Sequence, residues 1–223
     1  IIYLAKAING LSDSSDFYAA SIYNSITFGS GIVCGVFFPI AFLLMCNEKL
    51  LGKVWHESNI DSLTQLLNRR YFYRKVNEYY QQSNDQLQQT SLLIIDLDYL
   101  KPINDSHGHL AGDIVLKTLA EVLRKNVLNH SISARFGGDE FVIFMPNTEL
   151  GKATNFAEII KDNFSKKTQE LNYINPSPSL SIGIAFGDNS KTIESLLKHA
   201  DDNLYLAKRQ GRNQITSSAI NSS

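Results

Sequence analysis

The sequence is poor in cysteine, with two in 223 residues, and that excludes a disulfide-stapled scaffold. Proline is also scarce, at five, and no tract is dominated by glycine, serine or charge. Collagenous, coiled-coil and wholly disordered chains are therefore disfavoured. Neither sign of charge is in excess: 21 basic against 22 acidic side chains leave a formal net charge of -1. No global field draws in nucleic acid, and nucleic acid is not expected as a partner. Position 1 lacks methionine and the chain opens on IIYLAKAI, so it reads as an excerpt whose input module lies upstream. One full-sized domain fits beside a smaller appendage, and a second full domain does not.

Charge is absent altogether from Phe17 through Asn47, and the denser part, Thr27 to Cys46, is twenty residues long. At about 1.5 Å per residue this spans roughly 30 Å, the thickness of bilayer hydrocarbon. A core helix of a soluble protein is usually shorter and carries charge on one face. Pro39 and the glycines are tolerated in membrane helices. Asp13 and Asp16 precede the run where a signal peptide needs basic residues, whereas Lys49 and Lys53 follow it. Residues 17–47 therefore read as a transmembrane helix with the residues after it in the cytoplasm. Cys34 and Cys46, inside the run, read as packing residues. Residues 1–16 read as the end of an upstream membrane helix and an external loop. Residues 48–59, with Leu50, Leu51, Val54 and Trp55 on one stripe, read as a juxtamembrane helix, either signalling or a passive stalk.

From residue 60 the pattern becomes that of a soluble α/β domain. DSLTQLLNRRYFYRKVNEYYQQ reads as a helical turn and a longer helix, with Asp61 or Ser62 as cap. SLLIIDL, residues 91–97, reads as a central strand. Residues 110–127 carry Leu116, Leu119, Val122, Leu123 and Val127 at helical spacing. ISARF and FVIFMP flank Gly137-Gly138-Asp139-Glu140 and predict a hairpin. A helix over 150–167, the strand SLSIGIAF and a helix over 192–209 follow, and the tail 217–223 reads as a frayed, disordered end. The fold class expected is α/β, with a mixed central sheet flanked by helices. Tyr71, Phe72, Tyr79 and Tyr80 are expected to pack a helix on the sheet rather than to stack on bases.

Asp96 and Asp98 end the central strand on one face, and Asp139 and Glu140 sit at the hairpin. If Asp96 and Asp139 meet, they form a hard-oxygen site suited to Mg²⁺, with water and substrate phosphates completing the shell. His107 and His109 lack cysteine companions, and a zinc site is not expected.

The run Arg135-Phe136-Gly137-Gly138-Asp139-Glu140-Phe141 resembles the signature of the GGDEF family, the diguanylate cyclases. Companions occur in family order: Asp61-Ser62-Leu63-Thr64 with Leu67-Asn68-Arg69-Arg70; Asp96-Leu97-Asp98 with Lys101, Ile103-Asn104-Asp105, Gly108-His109 and Gly112-Asp113; Ser181 to Ala185; and Ala200-Asp201-Asp202 through Gly211-Arg212-Asn213. The resemblance covers about residues 58–216, giving a catalytic domain over 60–216 with a mainly antiparallel, nucleotide-cyclase-like palm sheet.

The resemblance implies a nucleotidyltransferase that condenses two GTP into cyclic di-GMP and releases two pyrophosphates. Asp96, Asp139 and the Leu97 carbonyl match the ligands of Mg²⁺, two ions per half-site, with Mn²⁺ as a substitute. Asn104 and Asp113 match the residues that pair with the guanine edge, and Lys208 and Arg212 match contacts to the terminal phosphates. The i, i+4 spacing of that last pair gives one face if the helix reaches Arg212. Gly137 and Gly138 let the backbone approach the triphosphate, and Glu140 matches an acidic position that the reaction requires. Each half-site holds one GTP, so a homodimer through the catalytic domains is implied.

Departures from the family pattern are Leu100, where Phe is common, Pro102, where Pro is unusual, and Gln65, where Gly is usual. The positions of the product-inhibition motif hold Leu128, Asn129, His130 and Ser131, so no inhibitory product site is expected. Two other readings remain: an inactive GTP-binding or dimerisation module, and cyclisation within a single nucleotide.

Overall fold

The computed structural model describes residues 14–57, 59–82, 89–128, 130–171, 174–187 and 192–220. Residues 1–13, including the expected upstream helix end, lie outside them, as does Asn129 from the positions where no inhibitory product site is expected. The chain divides into two compact units, 1–58 and 59–223.

The first unit holds one helix, α1 (Ser14–Glu57), of 44 residues with Pro39 inside it. Helix therefore replaces the loop expected over 14–16 and continues without a break into the juxtamembrane segment. Ser21–Met45 is long and apolar enough to cross a membrane, with mean hydropathy 2.2. Its large side chains, among them Phe28 and Phe38, are exposed. Its hydroxyls are paired internally: Ser25 Oγ donates to the Ser21 carbonyl at 2.9 Å, Ser30 Oγ to that of Thr27 at 2.9 Å, and Thr27 Oγ1 to that of Tyr23. Such back-bonding removes the cost of carrying unpaired hydroxyls into an apolar medium.

The second unit is built on a strand with four consecutive apolar residues, Leu92 to Ile95. β2 (Thr90–Asp98) is buried along its whole length, because helices cover both faces of the sheet. Around it lie β1 (Leu67–Asn68), α2 (Arg69–Gln82), α3 (Leu100–His107), α4 (His109–Asn126), β3 (Ile132–Gly137), β4 (Glu140–Pro146), α5 (Leu150–Gln169), β5 (Ser179–Gly187), α6 (Ile193–Arg209) and β6 (Ile215–Ala219). The sheet order is β1-β3-β4-β2-β5-β6. The inner pairs β3–β4, β4–β2 and β2–β5 are antiparallel and the two edge pairs are parallel. The expected mixed, mainly antiparallel sheet flanked by helices is what the chain forms.

Period-two alternation sorts β2 into two cores. Leu93, Ile95 and Leu97 join Val115 and Leu119 of α4 and Ile160 and Phe164 of α5. Leu92 and Ile94 join Phe72 and Val76 of α2 and Leu196, Ala200 and Leu204 of α6. Three of the four aromatic residues expected to pack on the sheet do so: Tyr79 and Tyr80 lie 6.0 and 5.7 Å from the Phe144 ring, and Phe72 lies 5.1 Å from Phe136, whereas Tyr71 lies 4.2 Å from the Arg74 guanidinium. Asn203 is buried in the same layer, donating to the Ile184 carbonyl at 2.7 Å and to Ser218 Oγ at 2.8 Å, which ties α6 to β5 and β6.

Three elements differ from the sequence reading. Residues 217–219, expected to be frayed, belong to β6, which pairs with β5 from Ile182↔Ile215 to Phe186↔Ala219. A short strand, β1, separates the Asp61 turn from α2, where continuous helical segments were expected. The helix α3 was not anticipated; Pro102 sits in its first turn, where an N–H has no intrahelical acceptor and proline is tolerated. The departure at Gln65 also has a visible cost, since its φ is 59°, a left-handed conformation that glycine adopts freely. Gln65→Gly is expected to raise the unfolding free energy by about 1 kcal/mol. Urea titration at equilibrium measures it, and an unchanged midpoint would show that the turn carries no strain.

Candidate active site

The site forms where β2 ends. Register sets its composition, because Asp96 lies opposite Glu140 of β4 on one side and Ser181 of β5 on the other, with Asp98 opposite Ser179. Residues opposite one another share a face, so Asp96, Asp98 and Glu140 all point toward the α2 and α6 side. The hairpin turn is drawn in by the Leu97 N–H, which donates to the Asp139 carbonyl at 3.1 Å. Asp96 and Asp139, four elements apart in the chain, are thereby neighbours.

Asp96 is buried, and its Oδ2 lies 2.7 Å from Lys208 Nζ. Burial pushes its carboxyl up to about 6; the charges of Asp139 and Asp98 add to the rise, and the Lys208 ammonium opposes it. Glu140 is raised too, by burial first and then by Asp201 and Asp139, while Arg69 and Lys208 pull the other way. Asp139 stands half-exposed in the turn, and its carboxylate accepts no hydrogen bond among the described residues. Gly138, at φ 46°, supplies the left-handed position of that turn, and a side chain there would meet nothing within 4 Å.

The turn is braced from outside. Arg135 donates from Nε and Nη2 to the Gly138 carbonyl, at 3.1 and 2.6 Å, and from Nη1 to Asp61 Oδ1 at 3.1 Å. Asp61 in turn accepts from the Thr64 N–H and hydroxyl at 2.8 and 2.6 Å. Burial would raise the Asp61 carboxyl, but the bonds from Thr64 and Arg135 hold it below its ordinary value. The opening motif is thus a strut for the glycine hairpin, a role invisible in the spacing of its letters.

A second pocket wall lies on α3 and α4. Asn104 Oδ1 is buried without a hydrogen-bond partner among the described residues. It sits against Gly112, where an added Cβ would lie 2.0 Å from Oδ1 and 3.1 Å from Leu100 Cδ1. An orphaned buried acceptor is expensive unless a ligand supplies the donor. Asp113, half-exposed, follows Gly112 directly on α4.

Lys208 and Arg212 do not share a helical face, because α6 ends at Arg209. Arg212 instead returns through a turn in which Gly211, Arg212 and Asn213 have φ of 115°, 62° and 50°. Its Nε lies 3.9 Å from Asp98 Oδ1. The two cations therefore reach the strand end at successive inward positions, Lys208 at Asp96 and Arg212 at Asp98.

Asp96, Asp139 and the Leu97 carbonyl are hard oxygen donors, and crowding of the carboxylates already favours a cation beside them. No group of three or more histidine, cysteine or acidic side chains converges to hold a metal among the described residues. Two carboxylates and a carbonyl fit Mg²⁺, which keeps water and phosphate oxygens in its shell, better than zinc or calcium. His107, for its part, faces Asn175, whose backbone N–H lies 3.1 Å from Nε2.

Comparison with known proteins identifies relatives of the chain. The chain is 38% identical over 168 residues to the diguanylate cyclase DgcM of Escherichia coli K12, a stretch covering 75% of this chain and 40% of that protein. It is 29% identical over 241 aligned positions to an uncharacterised membrane protein of Staphylococcus aureus strain USA300, covering 96% of this chain and 68% of the other. The crystal structure of the coiled coil and GGDEF domain of Caulobacter crescentus DgcB, in complex with c-di-GMP, superimposes with a TM-score of 0.67 at 25% identity, covering 84% of this chain and all of that one. Residues 58–214 match the family described as diguanylate cyclase, GGDEF domain, and the chain belongs to that family.

Proposed function

We propose that this chain is the membrane-anchored catalytic part of a diguanylate cyclase, condensing two GTP into cyclic di-GMP with release of two pyrophosphates. The observation that carries the reading is the convergence of Asp96, Asp139 and Lys208 at the end of the interior strand β2, two carboxylates and a cation from three distant parts of the chain. The partnerless Asn104 Oδ1 supports a base that brings N–H donors to it. With Asp113, it would accept from the guanine ring N–H and exocyclic amine. Adenine offers no such pair of donors and would leave buried polar groups unpaired.

Asp96, Asp139 and the Leu97 carbonyl would hold Mg²⁺, or Mn²⁺ in its place. When bound, the metal neutralises charge on the reacting phosphates. Lys208 and Arg212 would contact the terminal phosphates and orient pyrophosphate as leaving group. The open space at Gly137 and Gly138 would admit the triphosphate chain, and Glu140, pushed toward its neutral form, is placed to handle a proton beside Asp139. A 3'-hydroxyl of one GTP must attack the α-phosphorus of the other, so two copies of the domain face one another. The apolar span of α1 and the S. aureus membrane relative support anchoring, with the catalytic domain on the cytoplasmic side of a bacterial inner membrane.

The test is incubation of the purified chain with GTP and Mg²⁺, followed by separation of the nucleotides. Cyclic di-GMP and pyrophosphate in a one-to-two ratio are expected. GTP retained unchanged on the protein would favour the inactive module, which Leu100 alone now supports, since Pro102 is accommodated in α3.

The raised Asp96 pKa gives a separate expectation for the metal-free chain. The folded state holds a proton on Asp96 up to about pH 6, whereas the unfolded chain releases it near 3.8. Between these values the folded state binds more protons, so this contribution to stability is full below 3.8 and declines as pH rises toward 6. Denaturant titrations in chelator should show Asp96→Asn gaining on the parent by about 2 kcal/mol across that window. A difference independent of pH would show that Asp96 is not displaced from its ordinary range.

A further inference from the structure

Asp98 is the second acid of the strand end, and its side chain is fully buried. Both of its oxygens are engaged: Oδ1 accepts from Ser181 Oγ at 2.8 Å, and Oδ2 from Ser179 Oγ at 2.8 Å and from the Asn213 N–H at 3.1 Å. A carboxylate so saturated has little capacity left for a metal. Nor is it needed to pair β2 with β5, which are in register over nine consecutive positions from Thr90 to Asp98. What Asp98 holds beyond the sheet is the turn after α6.

That turn is strained. Arg212 and Asn213 are consecutive non-glycine residues in the left-handed region, and Tyr99, next to Asp98, is a third at φ 66°. Each such residue costs of order 1 kcal/mol and persists only where its surroundings impose it. Here the Asn213 bond to Asp98 is one restraint. Others are the Arg212 N–H to the Ala207 carbonyl at 3.1 Å and Gln214 Nε2 to the same carbonyl at 2.7 Å. The three strained residues surround one side chain. The Arg212 guanidinium lies 5.7 Å from the centre of the Tyr99 ring, and its Nε faces Asp98. Neither terminal nitrogen hydrogen-bonds to a described residue, and the side chain is 47% exposed.

We propose that Asp98 and Tyr99 are positioning residues for Arg212: the buried carboxylate pins the turn and the Nε edge, the ring limits the guanidinium from a second direction, and the terminal nitrogens are presented to the distal phosphates of the nucleotide. This rests on the reading of Arg212 as a phosphate contact. Fixing the planar fork in advance removes part of the ordering cost that a free arginine meets on binding.

The test uses the full chain in detergent, with calorimetric titration of a non-hydrolysable α,β-methylene analogue of GTP and of GMP, which keeps the base and loses the distal phosphates. Asp98→Asn is expected to weaken the analogue about ten-fold, and Tyr99→Leu about three-fold, while GMP affinity stays within about two-fold of the parent. Asp98→Asn in an Arg212→Ala background is expected to add nothing, because the group it positions is gone. Equal weakening of the analogue and GMP by Asp98→Asn would overturn the proposal in favour of a purely architectural role. So would an undiminished loss on the Arg212→Ala background. If Arg212→Ala alone leaves analogue affinity unchanged, the phosphate reading of Arg212 falls and the proposal with it. Should Asp98→Asn fail to fold, the exposed Tyr99 decides: unchanged analogue affinity in Tyr99→Leu overturns the proposal.

Discussion

Asp139→Ala is expected to reduce cyclic di-GMP formation by at least about a thousand-fold, or about 4 kcal/mol of transition-state stabilisation, with little change in thermal midpoint. The two halves of this expectation have separate causes. Asp139 stands in a two-residue turn, is half-exposed and bonds through its backbone carbonyl to Leu97, so removing its carboxylate leaves the hairpin's restraints in place. Arg135 still grips the Gly138 carbonyl and Asp61. The chemistry, by contrast, loses one of the two carboxylates proposed to hold the metal. Activity close to that of the parent at saturating Mg²⁺ would sink the assignment, and a large fall in thermal midpoint would make the loss uninterpretable as chemistry.

Gly183→Ala is expected to cost about 3–5 kcal/mol of stability, large for a single added methyl group. Gly183 lies in the middle of β5, paired with Ile94 and with Thr216. A Cβ there would lie 2.1 Å from the Ala200 carbonyl oxygen, 2.3 Å from the Leu204 nitrogen and 2.9 Å from its Cα. All three are backbone atoms of α6, so no rotamer change relieves the clash and the helix must move away from the sheet. That movement would break the Asn203 bonds to Ile184 and Ser218 and carry Lys208 off Asp96. Chemical denaturation and turnover should therefore fall together. A variant with parental stability would show that α6 rides the sheet more loosely than these distances allow.

Much of the catalytic unit is legible in the sequence, for physical reasons that can be named. β2 announces itself because a strand covered on both faces runs through four consecutive apolar residues, Leu92 to Ile95, before its acidic end, and the helices that cover it show their apolar periodicity. Asp96 and Asp139 can be nominated through the family resemblance that ties them together, since acids at a strand end and in a glycine turn are common on surfaces and name no site by themselves. What cannot be read is register. That Asp98 falls opposite Ser179 and beside Ser181, and is consumed by them, depends on the pairing of strands 81 residues apart in the chain. The serine pair at alternating positions of SLSIG was the available signal, and it has meaning only once its partner strand is known. β6 escaped notice because an edge strand of sequence ITSSA needs no apolar alternation. α3 did so because it is short and carries a proline, and Arg212 because its route to the site is a left-handed turn rather than a continued helix.

The two ends of the sheet have a bearing on how copies of this domain meet. Open edges of a β-sheet are templates for further strands, and a domain that works by meeting its own copy, as proposed above, is especially exposed to that failure. Here one edge is β1, only two residues long, and the other is β6, carrying Thr216, Ser217 and Ser218. Neither offers a long apolar ladder to a neighbour. Under the proposed function, two copies held close together on a bilayer would thus be discouraged from fusing edge to edge into a continuous sheet, leaving them free to meet through their sites.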